Sequence, residues 1–530
     1  MLEHRFERHD RSQLELKLGY VIDKDEPRQA YRVEAFLFVP TTLGLTKQSY
    51  RKAHFYEDTS TLIRLKTPRV ALGALATEEG LEQWTRPISE PLGDILAGKR
   101  VDPKPIIDRF KLLGAVIRSA LRDEKVDLLD RLEQTIGHGK NEGATGHAHR
   151  WATQFTAQLA SVLERTREMG HACETARMPE DIRSVWRGVD EFLSLIAEEA
   201  FTDVLSRLES RLHAKDDEDL RTLADRIAQQ AVSEYRYRRG RGYQSYAREG
   251  DRNEYLPYRR RVLKRFVSSI LFLDVRQEES GRVVNNVVGM TAAAAAMLVA
   301  TVAAVWTQNL IGMSLSASFI GAMVVSYIIK DRIKEHGKKL LGRRLGKWLP
   351  DHILRVNRAD SDEEIGRCRE SFYLARSQDI EKEILDLRHA EHPTLDAIDG
   401  RPETVLCYAK DINLKSAVLN AGGLECDGLT DIMRFNVQRL LSRMDDPWET
   451  YEYVDPDSLQ VCEAQCARVY HLNAVFRMTR ASGGTSLEHV RVILNRKGIH
   501  RLEIIEPTFR PAHVYSGASI QTLAAVGSTD

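Results

Sequence analysis

The hydrophobic and polar positions of this chain change period along its length. Leu14, Leu16, Leu18 and Tyr20 interleave with Glu15, Lys17 and Gly19, and Tyr31, Val33, Ala35 and Leu37 alternate with Arg32, Glu34, Phe36 and Phe38. A period of two marks a strand with one buried face, so the pattern predicts two antiparallel strands joined across the polar stretch Asp23–Gln29. A helix is expected over Tyr50–Leu65, ending before Pro68. From Leu92 to Arg276 the period lengthens: Ile106, Phe110, Leu113, Ile117 and Leu121 form one stripe, and Ile182, Val185, Val189, Phe192 and Ile196 form another. Several amphipathic helices in succession predict a bundle. Asp360–His389 reads as a further charged helix. Beyond Pro393, Gly400 and Pro402, short apolar runs at Thr404–Ala409, Val469–Met478, Leu487–Leu494 and Ile499–Ile505 predict strands, the last two joined by a turn at Asn495–Gly498.

One interval fits neither period. The 47 residues Val283–Ile329 contain no Asp, Glu, Lys or Arg. Val287–Trp306 and Leu310–Ile329 are 20 residues each, separated by Thr307, Gln308 and Asn309. At about 1.5 Å per residue each would cross a hydrocarbon core of about 30 Å, which predicts a transmembrane hairpin. Cations flank it on both sides, so the positive-inside tendency predicts both flanks on the cytoplasmic side. Ala292, Ala296, Ala300 and Ala304 recur every four residues, as do Ser314, Ser318, Ala322 and Ser326. Such small-residue rows would let the helices pack on each other or on a second copy. The competing reading is a buried helix pair inside a large core.

Composition alters this picture little. Across 530 residues 77 Lys and Arg balance 77 Asp and Glu, which excludes a uniformly basic nucleic-acid binder and an acidic solvating chain. The start MLEHRFERHD has no apolar core, so no cleavable signal is expected. Six scattered cysteines are expected as thiols in a reducing compartment.

Candidate chemistry is sparse. Tyr235–Arg261 combines nine arginines with six tyrosines and three acids. Arg236, Arg238, Arg239, Arg259, Arg260 and Arg261, with Lys338, Lys339, Arg343 and Arg344 beyond the uncharged interval, are candidates for anionic lipid headgroups. Arginine with tyrosine also suits single-stranded RNA, though the position beside the predicted hairpin favours lipid; a solvated loop with locally packed tyrosines is the third reading. Cys462 and Cys466 with His471 give three zinc-type ligands, one short of a structural site, and ordinary thiols are the better reading. His138, His147 and His149 read as a polar connector. Gly342–Trp348 lacks a spacer and the Ser or Thr of a phosphate loop. Asp445, Asp446, Glu449, Glu452, Asp455 and Asp457 lack the spacing of a calcium loop and read as a solvated turn.

The sequence therefore predicts an α+β membrane protein: a strand pair plus helix over 1–85, a helical bundle over 86–282, the transmembrane hairpin over 283–329, a basic helical connector over 330–400, a β-rich domain over 401–510 and a tail over 511–530. The expected role is a multi-pass protein of the cytoplasmic membrane, both termini cytoplasmic, anchoring interaction, scaffolding or sensing domains. Its expected partners are the anionic bilayer and a second copy through the small-residue faces. No cofactor and no metal are assigned, no catalytic residue is identified, and the balance leans away from an enzyme. The alternatives are a membrane-tethered enzyme with a site in the β-rich domain, where His471 and His489 lie, and an RNA-associated membrane protein.

Overall fold

The computed structural model describes residues 3–22, 26–137, 142–212, 218–278, 289–291, 293–302, 305–306, 324–325, 328, 331–332, 335, 350–358, 363–389, 403–415, 428–480 and 483–505. In chain order the elements are β1 (Glu3–Arg8), β2 (Gln13–Val21), β3 (Arg28–Pro40), α1 (Lys52–Asp58) and β4 (Thr59–Leu65). Helices α2 (Leu72–Leu75), α3 (Glu78–Leu96), α4 (Pro103–Gly137), α5 (Glu142–Gly170), α6 (Glu180–Leu212), α7 (Glu218–Gly240) and α8 (Tyr255–Ser268) follow. Then come β5 (Asp274–Glu278), β6 (His352–Asn357), β7 (Glu364–Arg376), α9 (Lys382–His389), β8 (Glu403–Lys415), β9 (Gly428–Asn436) and α10 (Gln438–Leu441). The last strands are β10 (Trp448–Val454), β11 (Val461–Ala467), β12 (Tyr470–Arg480), β13 (Thr485–Asn495) and β14 (Gly498–Ile505). They form two compact units, a sheet unit from residues 1–64, 273–424 and 428–530 and a helical unit from residues 65–272 with 425–427.

In the sheet unit a four-stranded sheet, β1-β2-β9-β4, faces an eight-stranded sheet, β14-β13-β12-β3-β8-β7-β6-β5. The alternation read in the sequence decides which side chains meet between them. Leu14, Leu16, Leu18 and Tyr20 of β2 lie opposite Phe435, Met433, Asp431 and Leu429 of β9, and all but Met433 are buried. From the other sheet Phe476 packs on Phe6, Tyr31 on Tyr20, and Phe372 stacks on Phe55 of α1 at 4.1 Å between ring centres. The opposite face of the large sheet is also apolar: Phe36, Phe38, Val405, Cys407 and Val475 are covered by Ile384 and Leu387 of α9. The sheets are tied at both margins. Arg8 Nη1 donates to Ile499 O at 2.9 Å and Ile499 N to Arg11 O at 2.7 Å, while Leu273 N donates to Ile63 O at 3.1 Å. These bonds satisfy main-chain groups that open edge strands would leave for other chains.

Several expectations are corrected here. The N-terminal strands are not paired with each other: β2 pairs with β1 and β9, and β3 with β8 and β12. Tyr50–Leu65 is not one helix, because the run Thr59–Leu65, with three β-branched residues, leaves the helix and becomes β4. Asp360–His389 contains strand β7 ahead of the short helix α9.

The helical unit matches its apolar stripes: Ile106, Phe110, Leu113, Ile117 and Leu121 of α4 are all buried, with Ile182, Val189 and Phe192 of α6. Helix α4 packs on α5, α6 and α8, and α6 on α7 and α8.

The membrane reading is overturned. Among the described residues no helix is long and apolar enough to cross a membrane. The α+β membrane fold class, the multi-pass location and the anchoring role with its two alternatives fall with that finding. The described helical stretches of that interval, of which 293–302 is the longest, fall short of the about 20 residues that a span needs. Of the small-residue rows, Ala296 is buried and Ala300 half-buried on described helix. Ala292, Ala304, Ser314, Ser318, Ala322 and Ser326 lie outside the described residues, as do Lys338, Lys339, Arg343 and Arg344.

Candidate functional site

Three polar constellations stand out, and their exposure separates structural roles from a candidate site. The first lies between the sheets. Lys410 of β8 donates to Asp431 Oδ2 of β9 at 2.7 Å, with both side chains buried. Beside it Tyr408 donates to Glu370 Oε1 at 2.9 Å, and Cys368 shares the same inner face of β7. Burial alone would pull the Lys410 ammonium down, but the charge of Asp431, with Cys368 and Glu370 after it, leaves it raised. Burial pushes the Cys368 thiol up to about 12. A lysine held protonated and a thiol held neutral are poor nucleophiles. An apolar cavity of about 40 Å³ adjoins the cluster, bordered by Leu14, Leu16, Phe55, Tyr408, Phe435 and Phe476.

The second constellation is the Arg/Tyr stretch, and the structure pairs half of its candidate arginines with acids of one helix, burying one of them fully. Arg238 is fully buried, donates to Ser245 O at 3.0 Å and Ser194 O at 2.9 Å, and pairs with Glu198. Arg259 grips Glu191 through two bonds of 3.1 and 2.5 Å, and Arg260 pairs with Glu199 at 2.7 Å. Tyr237 and Tyr243 both donate to Asp190, at 2.8 and 2.7 Å. All these acids belong to α6, so the stretch fastens α7, α8 and their connecting loop to that helix. Arg236, Arg239 and Arg261 are exposed, as is Arg260 despite its ion pair. The signal that could have revealed the pairing is on α6 itself, where Asp190, Glu191, Ser194, Glu198 and Glu199 recur at helical spacing within an otherwise apolar run.

The third constellation has no buried residue. Strands β10 and β11 pair only with each other among the described residues, in register from Trp448↔Ala467 to Val454↔Val461. The ribbon is well closed at both ends. Arg468 N donates to Pro447 O at 2.9 Å at the base, and Asp455 N to Gln460 O at 3.0 Å at the tip. Asp455 Oδ1 accepts from the backbone of Asp457 and Ser458, at 2.8 and 3.1 Å, and these bonds hold its carboxyl below the ordinary range. Arg496 pairs with Asp446 and Tyr470 donates to Asp445, which anchors the base to β12 and to the β13–β14 turn. Yet every β10 residue is exposed, and Tyr451 at 62%, Val461 at 71% and Leu459 at 80% leave large apolar groups in water. The acidic stretch read as a turn is in fact β10 and the ribbon tip.

The two faces of this ribbon differ. One carries Trp448, Thr450, Glu452 and Val454 opposite Ala467, Gln465, Glu463 and Val461; the other carries Glu449, Tyr451 and Tyr453 opposite Cys466, Ala464 and Cys462. Glu452 and Glu463 are direct cross-strand neighbours, a like-charge pair that is unfavourable in isolation. Glu449 is neutralised by Arg468 at 2.9 Å. Cys462 and Cys466 sit four residues apart on one strand, about 13 Å at the rise of a strand, too far to ligate one ion together. No group of three or more potential metal ligands occurs among the described residues. Of the histidines in the β-rich region, His489 is fully buried and faces Asn473 Oδ1 at 3.2 Å.

Comparison with protein-family models, with curated proteins and with solved structures finds no match.

Proposed function

We propose that the chain is a protein-recognition molecule that uses the β10–β11 ribbon as an arm and takes a partner bearing Lys or Arg against the face of Trp448, Glu452 and Glu463. The observation that carries this reading is the ribbon's composition together with its exposure. A two-stranded ribbon is marginal in water by itself, and here Tyr451, Val454, Leu459 and Val461 leave most of their apolar surface in water, and Trp448 about half of its own. Glu452 facing Glu463 supplies the chemistry of recognition: a cation placed between them turns a repulsive pair into two charge-assisted contacts. Trp448, on the same face about 13 Å along the strand beyond Thr450, offers an extended partner a large rigid anchor and a face for cation–π contact. The seven acids between Asp445 and Arg468, against that single arginine, extend the negative field along the ribbon.

The reading is tested by titrating the full chain with an extended arginine-rich peptide and with its glutamate-rich counterpart. Binding of the basic peptide should weaken with salt and be lost in Glu452→Lys/Glu463→Lys. It should persist in Glu82→Lys/Glu90→Lys, which alters the charge equally on α3. Equal binding by both double variants would refute the proposal.

A further inference from the structure

The faces of the ribbon leave a second feature unused, the outer edge of β11. Arg468 N donates to Pro447 O and Asp455 N to Gln460 O, which fixes the phase of the ladder. Cys462, Ala464 and Cys466 therefore turn their main-chain groups towards β10, whereas Val461, Glu463, Gln465 and Ala467 turn theirs outward. The outer edge of β11 has no strand beside it among the described residues, and unlike β10 it carries no aromatic residue and one acid. We propose that a second copy of this chain pairs there, β11 against β11, antiparallel and centred on Ala464.

The sequence of β11 is suited to that operation. Ala464 is the midpoint of Val461–Ala467, so this register pairs all seven residues. Glu463 falls opposite Gln465 of the second copy, so no acid meets an acid across the new ladder. Val461 falls opposite Ala467 of the second copy, and these outward residues supply the hydrogen-bonded pairs. A register centred on Glu463 would instead set two carboxylates face to face. The product is a four-stranded sheet, β10-β11-β11-β10, above the two-stranded state that is marginal in water. Cys462 and Cys466 then occupy non-hydrogen-bonded positions opposite each other, with Cα atoms about 4.5 Å apart, inside the span a disulfide bridges. Within one chain the same two cysteines are about 13 Å apart and cannot be linked.

That geometry gives a test independent of the basic-partner reading. The reduced full chain should sediment as a dimer, and Gln465→Pro, which removes an outward N–H, should sediment as a monomer with an unchanged circular dichroism spectrum. Diamide, which takes two electrons and two protons from each thiol pair, should link two wild-type chains, with Cys462 joined to Cys466 in the peptide map. Cys462→Ser and Cys466→Ser should each lose the link when oxidised alone, and an equal mixture of the two should regain one link in each mixed dimer. A monomeric wild-type chain, a dimer that survives Gln465→Pro, or a Cys462–Cys462 link would overturn the inference. Binding of the basic peptide by a monomeric chain would leave the proposed function standing while this pairing fell.

Discussion

Lys410 Nζ lies 2.7 Å from Asp431 Oδ2, and the pair joins strands of opposite sheets with each side chain 2% exposed. Two charges brought out of water between apolar layers are held by their mutual attraction, not by solvent. Removing one partner strands the other, at about 3–5 kcal/mol, whereas replacing both by apolar groups of similar volume is often neutral or stabilising. Lys410→Met should therefore lower unfolding stability by that amount, and Lys410→Met/Asp431→Leu should recover most of it. Urea unfolding of the three proteins measures this. A double variant as unstable as the single would show that the pair contributes more than it costs.

Acid should loosen the sheet unit through specific carboxylates. Burial pushes Glu34 up, but bonds from Arg477 at 2.6 Å and Arg32 at 3.1 Å outweigh it and leave the carboxyl below its ordinary 4.5. Glu15 behaves alike: burial is outweighed by Lys17 and Arg434. A carboxyl lowered by folding contributes stability that is complete above its unfolded value and is lost as pH falls through its folded one. The urea midpoint should thus decline once the pH drops below about 4.5, and decline less steeply in Glu15→Gln/Glu34→Gln. An identical slope in the variant would remove these two groups from the account.

How much of this was legible in the sequence depends on where polar residues sit inward. Strands β2 and β3 announced themselves because Leu14, Leu16, Leu18 and Tyr20, and then Tyr31, Val33 and Leu37, keep the alternation on the core face. Strand β7 did not. Its inward residues are Cys368, Glu370 and Phe372, and with Ile365 the apolar members are spaced three and four apart, which imitates a helix. Glu370 breaks the pattern because its partner, Tyr408, comes from another strand. The inward turn of Arg238 and Arg259 was hidden for the same reason: composition gives the charge of the stretch but not the complementary acids on α6. The ribbon was hidden differently. With no buried face, Trp448–Val454 carries no period for a core-based reading to detect.

Thiol chemistry offers a direct check on exposure. Burial pushes the thiols of Cys173, Cys368 and Cys407 up to about 12 and closes them to solvent, while Cys466 is exposed and Cys462 partly so. In dilute reduced protein a maleimide should modify Cys462 and Cys466 within the time that leaves Cys173, Cys368 and Cys407 unmodified, and denaturant should remove the difference. Peptide mass mapping reads each site. Early modification of Cys368 would contradict the packing of the two sheets.

Gly170, at the end of α5, tests the packing of the helical unit. A Cβ built there would run into the indole of Trp186, the largest fully enclosed side chain of α6, which in turn packs on Phe110 at 5.6 Å between ring centres. The indole cannot retreat without disturbing α4. Gly170→Ala should therefore destabilise the protein by about 1–3 kcal/mol through overpacking, even though alanine favours helix. Gly240, at the end of α7, has nothing within 4 Å of the same added atom, so Gly240→Ala should stay within about 0.5 kcal/mol of the parent. Combining Gly170→Ala with Trp186→Phe should return part of the loss, because the smaller ring vacates the contested space. Thermal unfolding of the four proteins distinguishes crowding from propensity: equal effects at Gly170 and Gly240 would mean that the tryptophan does not set the limit.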